Sequence, residues 1–265
     1  MNGIGALSKF SLVAAAAVAL AVCGSRIAEQ PAGTVHAVLP AATKVKAASV
    51  PLPEPSETSA PSNTTLVATV HGDVPGSPEP GAPQDTLVPG TWYGYPSILP
   101  VIATAPNWVE VRLAQRPNGS TTWVPQSDVS LSVTPYSMLL NLSTMHLSVY
   151  EYGQEVLDFP AGIGTPTDPT VTGNYFIAMR VPPPDPGYGP FVLVTSAHSD
   201  SISDWEGSGD AITAIHGPIT SYDDELIGTT GAAISHGCIR LHDADLALLN
   251  IIPPATPLDI ISGVA

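Results

Sequence analysis

The sequence predicts a mainly β protein with one or two short helices. Short β-branched and aromatic runs, such as Trp108-Val109-Glu110-Val111-Arg112-Leu113 and His146-Leu147-Ser148-Val149-Tyr150, recur from residue 91 onward, broken by Gly, Pro and Asn. A helix signature stands out once, where Asp243 is placed to cap Ala244–Asn250 ahead of Pro253. Residues 24–87 show neither the helical nor the strand period, so the folded part is expected to begin near residue 88.

The leader has two parts. Residues 1–23 combine Lys9, the apolar run Leu12–Val22 and Cys23, the pattern of an export signal. The apolar run is too short to span a membrane comfortably. Leu20-Ala21-Val22-Cys23 also resembles a bacterial lipobox, apart from Val22, and makes Cys23 the candidate lipid-bearing residue. Simple cleavage, a lipid anchor and a retained anchor all imply an exported protein of the cell envelope or wall. Residues 24–87 are rich in Pro, Ala, Ser and Thr, as in Pro51-Leu52-Pro53-Glu54-Pro55, and read as a disordered, semi-rigid tether.

A formal charge of −15, from 23 acidic and 8 basic residues, leaves no basic patch for phosphates. Nucleic acid is therefore excluded as a partner.

Two folded segments follow. In residues 88–134, Trp92-Tyr93-Gly94-Tyr95, the run from Trp108 and Thr121-Thr122-Trp123-Val124 are strand-like, and Asn118-Gly119 between the last two is a hairpin signal. This segment resembles the small SH3-like β-barrels of exported bacterial wall proteins. In residues 135–265, strands are expected at 138–142, 146–150, 156–160, 175–179 and 191–194, with a strand ending at His216. Gly162 and Gly164 lie in a loop without the third glycine of a dinucleotide site.

Chemistry concentrates in Ser235-His236-Gly237-Cys238-Ile239-Arg240. Beyond Cys23, Cys238 is the only thiol, and an unpaired cysteine in an exported protein is a candidate nucleophile. A thiol attacks as its thiolate and needs a base. His216, His236 and His242 compete for that role. His216, at the end of an apolar strand, is the best held, and the Gly217 carbonyl is placed to fix its tautomer. His236 shares a face with Cys238 if the segment is extended, and not if it turns. The N–H groups of Gly237 and Cys238 are candidate oxyanion donors. A buried inert cysteine and a zinc site formed by His216, His236, Cys238 and His242 are the competing readings; the irregular ligand spacing weighs against zinc. Glu206-Gly207-Ser208-Gly209-Asp210 reads as a loop and not as a serine nucleophile elbow.

His216, a gap of eighteen residues, and Ser235-His236-Gly237-Cys238 together resemble the signature of the L,D-transpeptidases, bacterial cell-wall cross-linking enzymes. The likeness extends over residues 135–265, with Val171-Thr172-Gly173 where the family usually has Pro-Thr-Gly. It implies a β-sandwich catalytic domain needing neither metal nor cofactor. Cys238 is then the nucleophile, His216 the base and Gly217 its orienting carbonyl, while Ser235, His236 and Gly237 shape the pocket. Arg240 is expected either to attract a peptide carboxylate or to brace the loop, with an ion pair to Asp243 or Asp245 as the alternative. Tyr188, His198 and Trp205 fall in the segment resembling the family's lid, which makes Tyr188 and His198 candidates for substrate contact. The implied partners are peptidoglycan stem peptides and carbapenem-type inhibitors. The implied reaction is transfer of a stem tetrapeptide, with release of D-alanine, to an amine (3→3 cross-linking) or to water (L,D-carboxypeptidase). A wall-binding protein without catalysis is the remaining alternative.

Overall fold

A computed structural model describes residues 63–263. The expected export signal, Cys23 and the expected tether up to residue 62 lie outside the described residues. Ordered structure starts earlier than the composition suggested. Strand β1 (Thr65–Val70) is followed by β2 (Val74–Gly76), β3 (Thr86–Val88), β4 (Thr91–Trp92) and β5 (Tyr95–Pro96). Next come β6 (Ile98–Ala105), β7 (Trp108–Arg112), β8 (Thr121–Pro125) and β9 (Val129–Thr134).

These strands form a five-stranded antiparallel sheet in the order β8-β7-β6-β1-β9, flanked by the ribbons β2-β3 and β4-β5. The expected tether boundary at residue 87 is therefore corrected. Val67, Ala68 and Val70 are buried, and β1 lies between β6 and β9 in the sheet. The β7-β8 hairpin forms as expected, with Arg112 opposite Thr121 and Gly119 at φ +78° in the turn.

The second unit begins with β10 (Tyr136–Asn141), β11 (His146–Glu151), β12 (Gln154–Pro160) and β13 (Ile163–Gly164). It continues through β14 (Gly173–Val181), β15 (Val192–His198) and β16 (Ile212–His216). Helix α1 (Ser221–Leu226), β17 (Ala233–Ser235), β18 (Ile239–Arg240), helix α2 (Asp243–Leu248) and β19 (Pro257–Ile261) complete it. Eight of these strands make one sheet, ordered β12-β11-β10-β19-β14-β15-β16-β18.

Strand β14 turns the corner of this sheet. Residues 173–176 pair with β19, and the residues from Ile177 onward pair with β15 after a register shift. Met138, Leu140, Leu147 and Val149 from one half then pack in the same core as Leu193, Ala197, Ile215 and Ile239 from the other. The sheet thus folds over on itself, and Leu246 and Leu249 of the C-terminal helical segment fill its interior. This agrees with a mainly β domain carrying few short helices. Two local expectations change: His242, and not Asp243, is the N-cap of α2, and α1 was not foreseen.

The two units meet at several places, and Trp92 and Tyr95 of the N-terminal unit pack against the cluster that holds Cys238. Phe176 and Ala178 of β14 pack into the core of the five-stranded sheet. The β7-β8 hairpin also grips the loop between β15 and β16. The Asn118 amide donates to the His198 carbonyl (2.8 Å) and its oxygen accepts from the His198 N–H (2.9 Å). Arg116 donates to the Ser199 and Ile202 carbonyls and pairs with Asp210 at 2.7 Å. The buried His198 ring sits between the Ala114 carbonyl and the Asp210 carboxylate, 3.1 and 2.8 Å away.

Partial burial alone would raise the Asp210 pKa, but His198, Arg116 and the Ala211 N–H outweigh it and hold the carboxyl at about 2. A carboxyl held below its ordinary value contributes stability above about pH 4 that fades as pH falls toward 2. Asp210→Asn is therefore expected to lower the melting temperature near neutral pH, with the difference from the parent protein closing between about pH 4 and pH 2. Melting curves at pH 7, 4, 3 and 2 measure this. A chain starting at residue 63 is expected to unfold cooperatively by Trp fluorescence. One starting at residue 88 lacks the strand between β6 and β9 and is expected to lose that transition.

Candidate active site

The reactive segment spans β17, a turn and β18. Gly162 and Arg240 exchange two backbone bonds of 2.8 Å, Thr165 N–H donates to the Ser235 carbonyl, and Leu241 N–H donates to the His216 carbonyl. Strand β18 runs parallel to β16, with Ile215 opposite Ile239 and His216 opposite Arg240. The segment is thus stitched to its neighbours on both sides.

The turn is at Gly237, whose φ is +112°. A side chain there would be strained in this conformation, and its Cβ would lie 3.3 Å from the Pro169 carbonyl. This turn overrides the extended spacing considered for His236 and Cys238. The Ser235 hydroxyl spans the turn, accepting from the Gly237 N–H (3.1 Å) and donating to the Cys238 carbonyl (2.6 Å). Gly237 N–H is therefore engaged by Ser235 and is not an open oxyanion donor in this state, contrary to expectation. Thr170, which the sequence did not single out, supports the turn from below. Its hydroxyl donates to the Gly237 carbonyl at 3.0 Å and accepts from Gly164 N–H at 2.8 Å.

His216 is fully buried at the end of β16. Its Nδ1 lies 2.7 Å from the Gly217 carbonyl oxygen. A carbonyl can only accept, so Nδ1 carries the proton and Nε2 the lone pair. Nε2 makes no hydrogen bond. This is the arrangement expected of a base held ready for a proton. Gly217 cannot be larger, since a Cβ there would lie 2.5 Å from Asp243 Oδ1 and 2.8 Å from Gly189 N.

Cys238 packs with Ile212 and Ala214, the even-numbered residues of β16, whereas Ile215 and Ile239 belong to the core on the other face. Side chains alternate along a strand, so Cys238 and His216 lie on the same face of neighbouring strands. The sulfur itself is fully buried, among Met179, Val181, Tyr188, Val192 and Val194. The Tyr188 ring lies 4.7 Å from the His216 ring, and the Trp205 ring 5.1 Å from the His236 ring. Tyr188 thus covers the His216 ring, and Trp205 covers His236 at the start of the turn.

Two expected substrate residues have other work. Arg240 is 2% exposed, and its Nη1 donates to Asp223 (2.9 Å) and to the Pro218 carbonyl (3.3 Å). It braces the loop after His216 and meets neither Asp243 nor Asp245; Asp223, the acid it does meet, lies in the unforeseen helix α1. His198 belongs to the junction between the units and not to a substrate cleft. Tyr188 stays at the site, packed on the base. His242 turns to Asp224, with Nδ1 2.7 Å from Oδ1, and does not join the other histidines.

The family profile of the L,D-transpeptidase catalytic domain, YkuD, matches residues 135–260. A protein of Bacillus licheniformis named for L,D-transpeptidase YkuD is 29% identical over 127 residues, which is 48% of this chain and 66% of that protein. The chain thus spans just under two thirds of that relative's length. Among solved structures, an L,D-transpeptidase from Mycobacterium smegmatis is similar at 20% identity, covering 58% of this chain and 90% of that one, with a TM-score of 0.36. The catalytic domain of an E. faecium L,D-transpeptidase acylated by ertapenem is similar at 19% identity, covering 48% and 96%, with a TM-score of 0.35. With the histidine, the turn and the cysteine in place, residues 135–260 match the L,D-transpeptidase catalytic domain of the YkuD type.

Proposed function

We propose that this protein is an exported peptidoglycan L,D-transpeptidase that forms 3→3 cross-links through a Cys238 thioester. The single observation that carries the reading is the His216 tautomer: Nδ1 donates to Gly217, and Nε2 keeps a lone pair on the sheet face that holds Cys238. The family profile over residues 135–260 supports the same chemistry.

In the first half-reaction His216 Nε2 takes the Cys238 thiol proton, and the thiolate attacks the carbonyl that precedes the terminal D-alanine of a stem tetrapeptide. The C–N bond breaks, the His216 imidazolium gives its proton to the departing amine, and a thioester remains. In the second half-reaction the side-chain amine of another stem attacks the thioester and yields a proton to His216. The new amide forms and the thiol is restored. Dividing one amide exchange into two steps through a good leaving group is what the cysteine contributes.

Negative charge on the attacked oxygen requires donors. The turn supplies backbone N–H groups, and Gly237 N–H becomes one of them if the Ser235 hydroxyl turns aside. Ser235 and Thr170 then act as supports that set the shape of the turn. The export pattern of residues 1–23 and the Pro-rich stretch that follows support an envelope location, with Cys23 as the candidate lipid site. The small antiparallel sheet ahead of the catalytic domain supports the SH3-like reading.

Incubating the protein with defined stem tetrapeptides and weighing the products separates the readings. A cross-linked dimer with free D-alanine supports transpeptidation, a tripeptide alone supports carboxypeptidation, and no product overturns both. Cys238→Ala is expected to abolish turnover. His216→Gln, which keeps a comparable volume without a basic nitrogen, is expected to reduce kcat by about 10³-fold with KM little changed. A carbapenem is expected to add its mass to the Cys238 peptide of the parent protein, and an unmodified Cys238 after prolonged exposure would count against a reactive thiol.

A further inference from the structure

The loop between β15 and β16 is anchored outside the catalytic domain. It leaves the sheet at His198 and returns at Ala211, where Ser199 N–H donates to the Ala211 carbonyl at 2.8 Å. Each end is tied to the β7-β8 hairpin of the N-terminal unit. Asn118 uses both polar atoms of its amide on the His198 backbone, pairing with it as a neighbouring strand would. Arg116 takes the Ser199 and Ile202 carbonyls at the outgoing end and the Asp210 carboxylate at the returning end. Ala114 supplies the acceptor for the buried His198 ring.

Between these ends the loop reaches the active site. Trp205 lies on His236, two residues before Cys238, and Ser201 donates to Asp168 at 3.0 Å, beside the Pro169 and Thr170 segment that supports the Gly237 turn. Along the loop, Ser203, Asp204 and the residues from Glu206 to Gly209 are exposed, and Glu206, Gly207 and Gly209 have positive φ. Little apolar burial holds this stretch down. Trp205 is tied to the returning end by its own bonds, its N–H donating to the Asp210 carbonyl and its carbonyl accepting from Ser208 N–H, and Arg116 holds the Asp210 carboxylate there.

We propose that Arg116 and Asn118 are positioning residues of the active site, holding the Trp205 loop closed over the reactive turn from a separate folded unit. The N-terminal unit is then a working part of the catalytic centre, whatever else it binds. The inference rests on Cys238 being the reactive thiol. It concerns access to that thiol and the placement of Trp205, not the identity of the peptide substrate. A segment that opens locally exposes what it covers in proportion to its open population. Removing bonds made only in the closed state therefore speeds reagent access to the sulfur while disturbing the placement needed for turnover.

The test uses the full chain and a small thiol reagent, iodoacetamide, with alkylation read on the Cys238 peptide by mass spectrometry. Asn118→Ala and Arg116→Ala are each expected to speed alkylation about ten-fold at a temperature well below their melting points. Both are expected to lower kcat on a stem tetrapeptide, and Arg116→Lys, which keeps the charge facing Asp210, is expected to recover part of the loss. Trp205→Ala is expected to speed alkylation as much, and Asn118→Ala added to it is expected to bring no further increase, because both act through one loop. Val124→Ala, in the core of the N-terminal sheet and away from the loop, is expected to lower the melting temperature with alkylation at the parent rate. Parent-rate alkylation in both Asn118→Ala and Arg116→Ala overturns the proposal, and so does equal acceleration by Val124→Ala. If the parent protein turns over no tetrapeptide, the proposed reaction fails while the alkylation comparison still decides the anchoring.

Discussion

The chemistry proposed for this molecule depends on one short bond, from His216 Nδ1 to the carbonyl of the next residue. An imidazole with no acceptor at Nδ1 is free to carry its proton on either nitrogen, and whatever fraction carries it on Nε2 cannot act as the base. The bond is worth about 1 kcal/mol net, and leaving a buried donor unmet costs about 1–3 kcal/mol. That asymmetry locks the ring. The peptide that supplies the carbonyl is held in turn. Gly217 N–H donates to the Tyr188 carbonyl, and Asp243 and Gly189 fill the space a side chain would need. Burial, with the charge of Asp224 adding to it, raises the Asp243 pKa, so the carboxyl is held close to this peptide at an electrostatic cost. Arg240 fixes the far side by gripping the Pro218 carbonyl and Asp223 together.

The same packing that fixes the base also hides the nucleophile. Both His216 and Cys238 are sealed from solvent, with Tyr188 against the His216 ring and Trp205 against His236, two residues before Cys238. A dry site strengthens each dipole aimed at a developing charge, which favours acyl transfer once substrate is inside. It also excludes substrate until something moves. The two roofing segments differ in how they are held. Tyr188 sits in a short turn closed by Asp185 capping the Gly187 N–H, and the ring itself is buried. The Trp205 loop is exposed along most of its length and fastened chiefly at its ends. Opening on that side disrupts less apolar packing.

Local chemistry was legible in the sequence, and long-range partnership was not. The Asn118-Gly119 turn, the strands flanking it, the terminal position of His216 on its strand and the Gly217 carbonyl all follow from neighbours in the chain. β1 was lost because Thr65–Val70 is one short β-branched run inside a Pro- and Ala-rich stretch, and only its partners β6 and β9 show it to be internal. β19 was missed because it lies beyond α2 and the Pro253-Pro254 pair, yet it joins β10 to β14 in the middle of the sheet. His198 was misread, and the acidic partner of the loop-bracing Arg240 was missed, for the same reason. Each sits among residues that suggest a site, and each is taken up by a carboxylate contributed from elsewhere, Asp223 and Asp210. Asn118 shows the converse, since a residue that earned notice only as a turn former uses its side chain to bind the other unit.

Charge ties these observations together. Residues 63–263 hold four basic side chains, Arg112, Arg116, Arg180 and Arg240, because Lys9, Arg26, Lys44 and Lys46 all precede them. All but Glu29, Glu54 and Glu57 of the acidic residues lie in the same span. Three of the four arginines are tied into the fold by bonds, and Arg112 is partly buried. Arg116 and Arg240 are paired with carboxylates, Arg180 donates to the Asn250 side chain and to the Asn250 and Ile252 carbonyls while lying 4.8 Å from the Phe191 ring centre, and desolvation by burial lowers the pKa of Arg112. The three bonded arginines are not free cations, which leaves backbone N–H groups as candidates to meet the anionic parts of a donor. The field around the unit, by contrast, favours the approach of a cation. In the proposed reaction the acceptor is an amine that arrives protonated and must lose its proton to attack. An acidic surface gathers such acceptors from solution; the ammonium sheds one proton to solvent before attack, and the neutral imidazole inside takes the second as the amide forms. The scarcity of basic residues, which first excluded nucleic acid, is thus suited to a site that spends its cations on architecture and attracts its second substrate by charge.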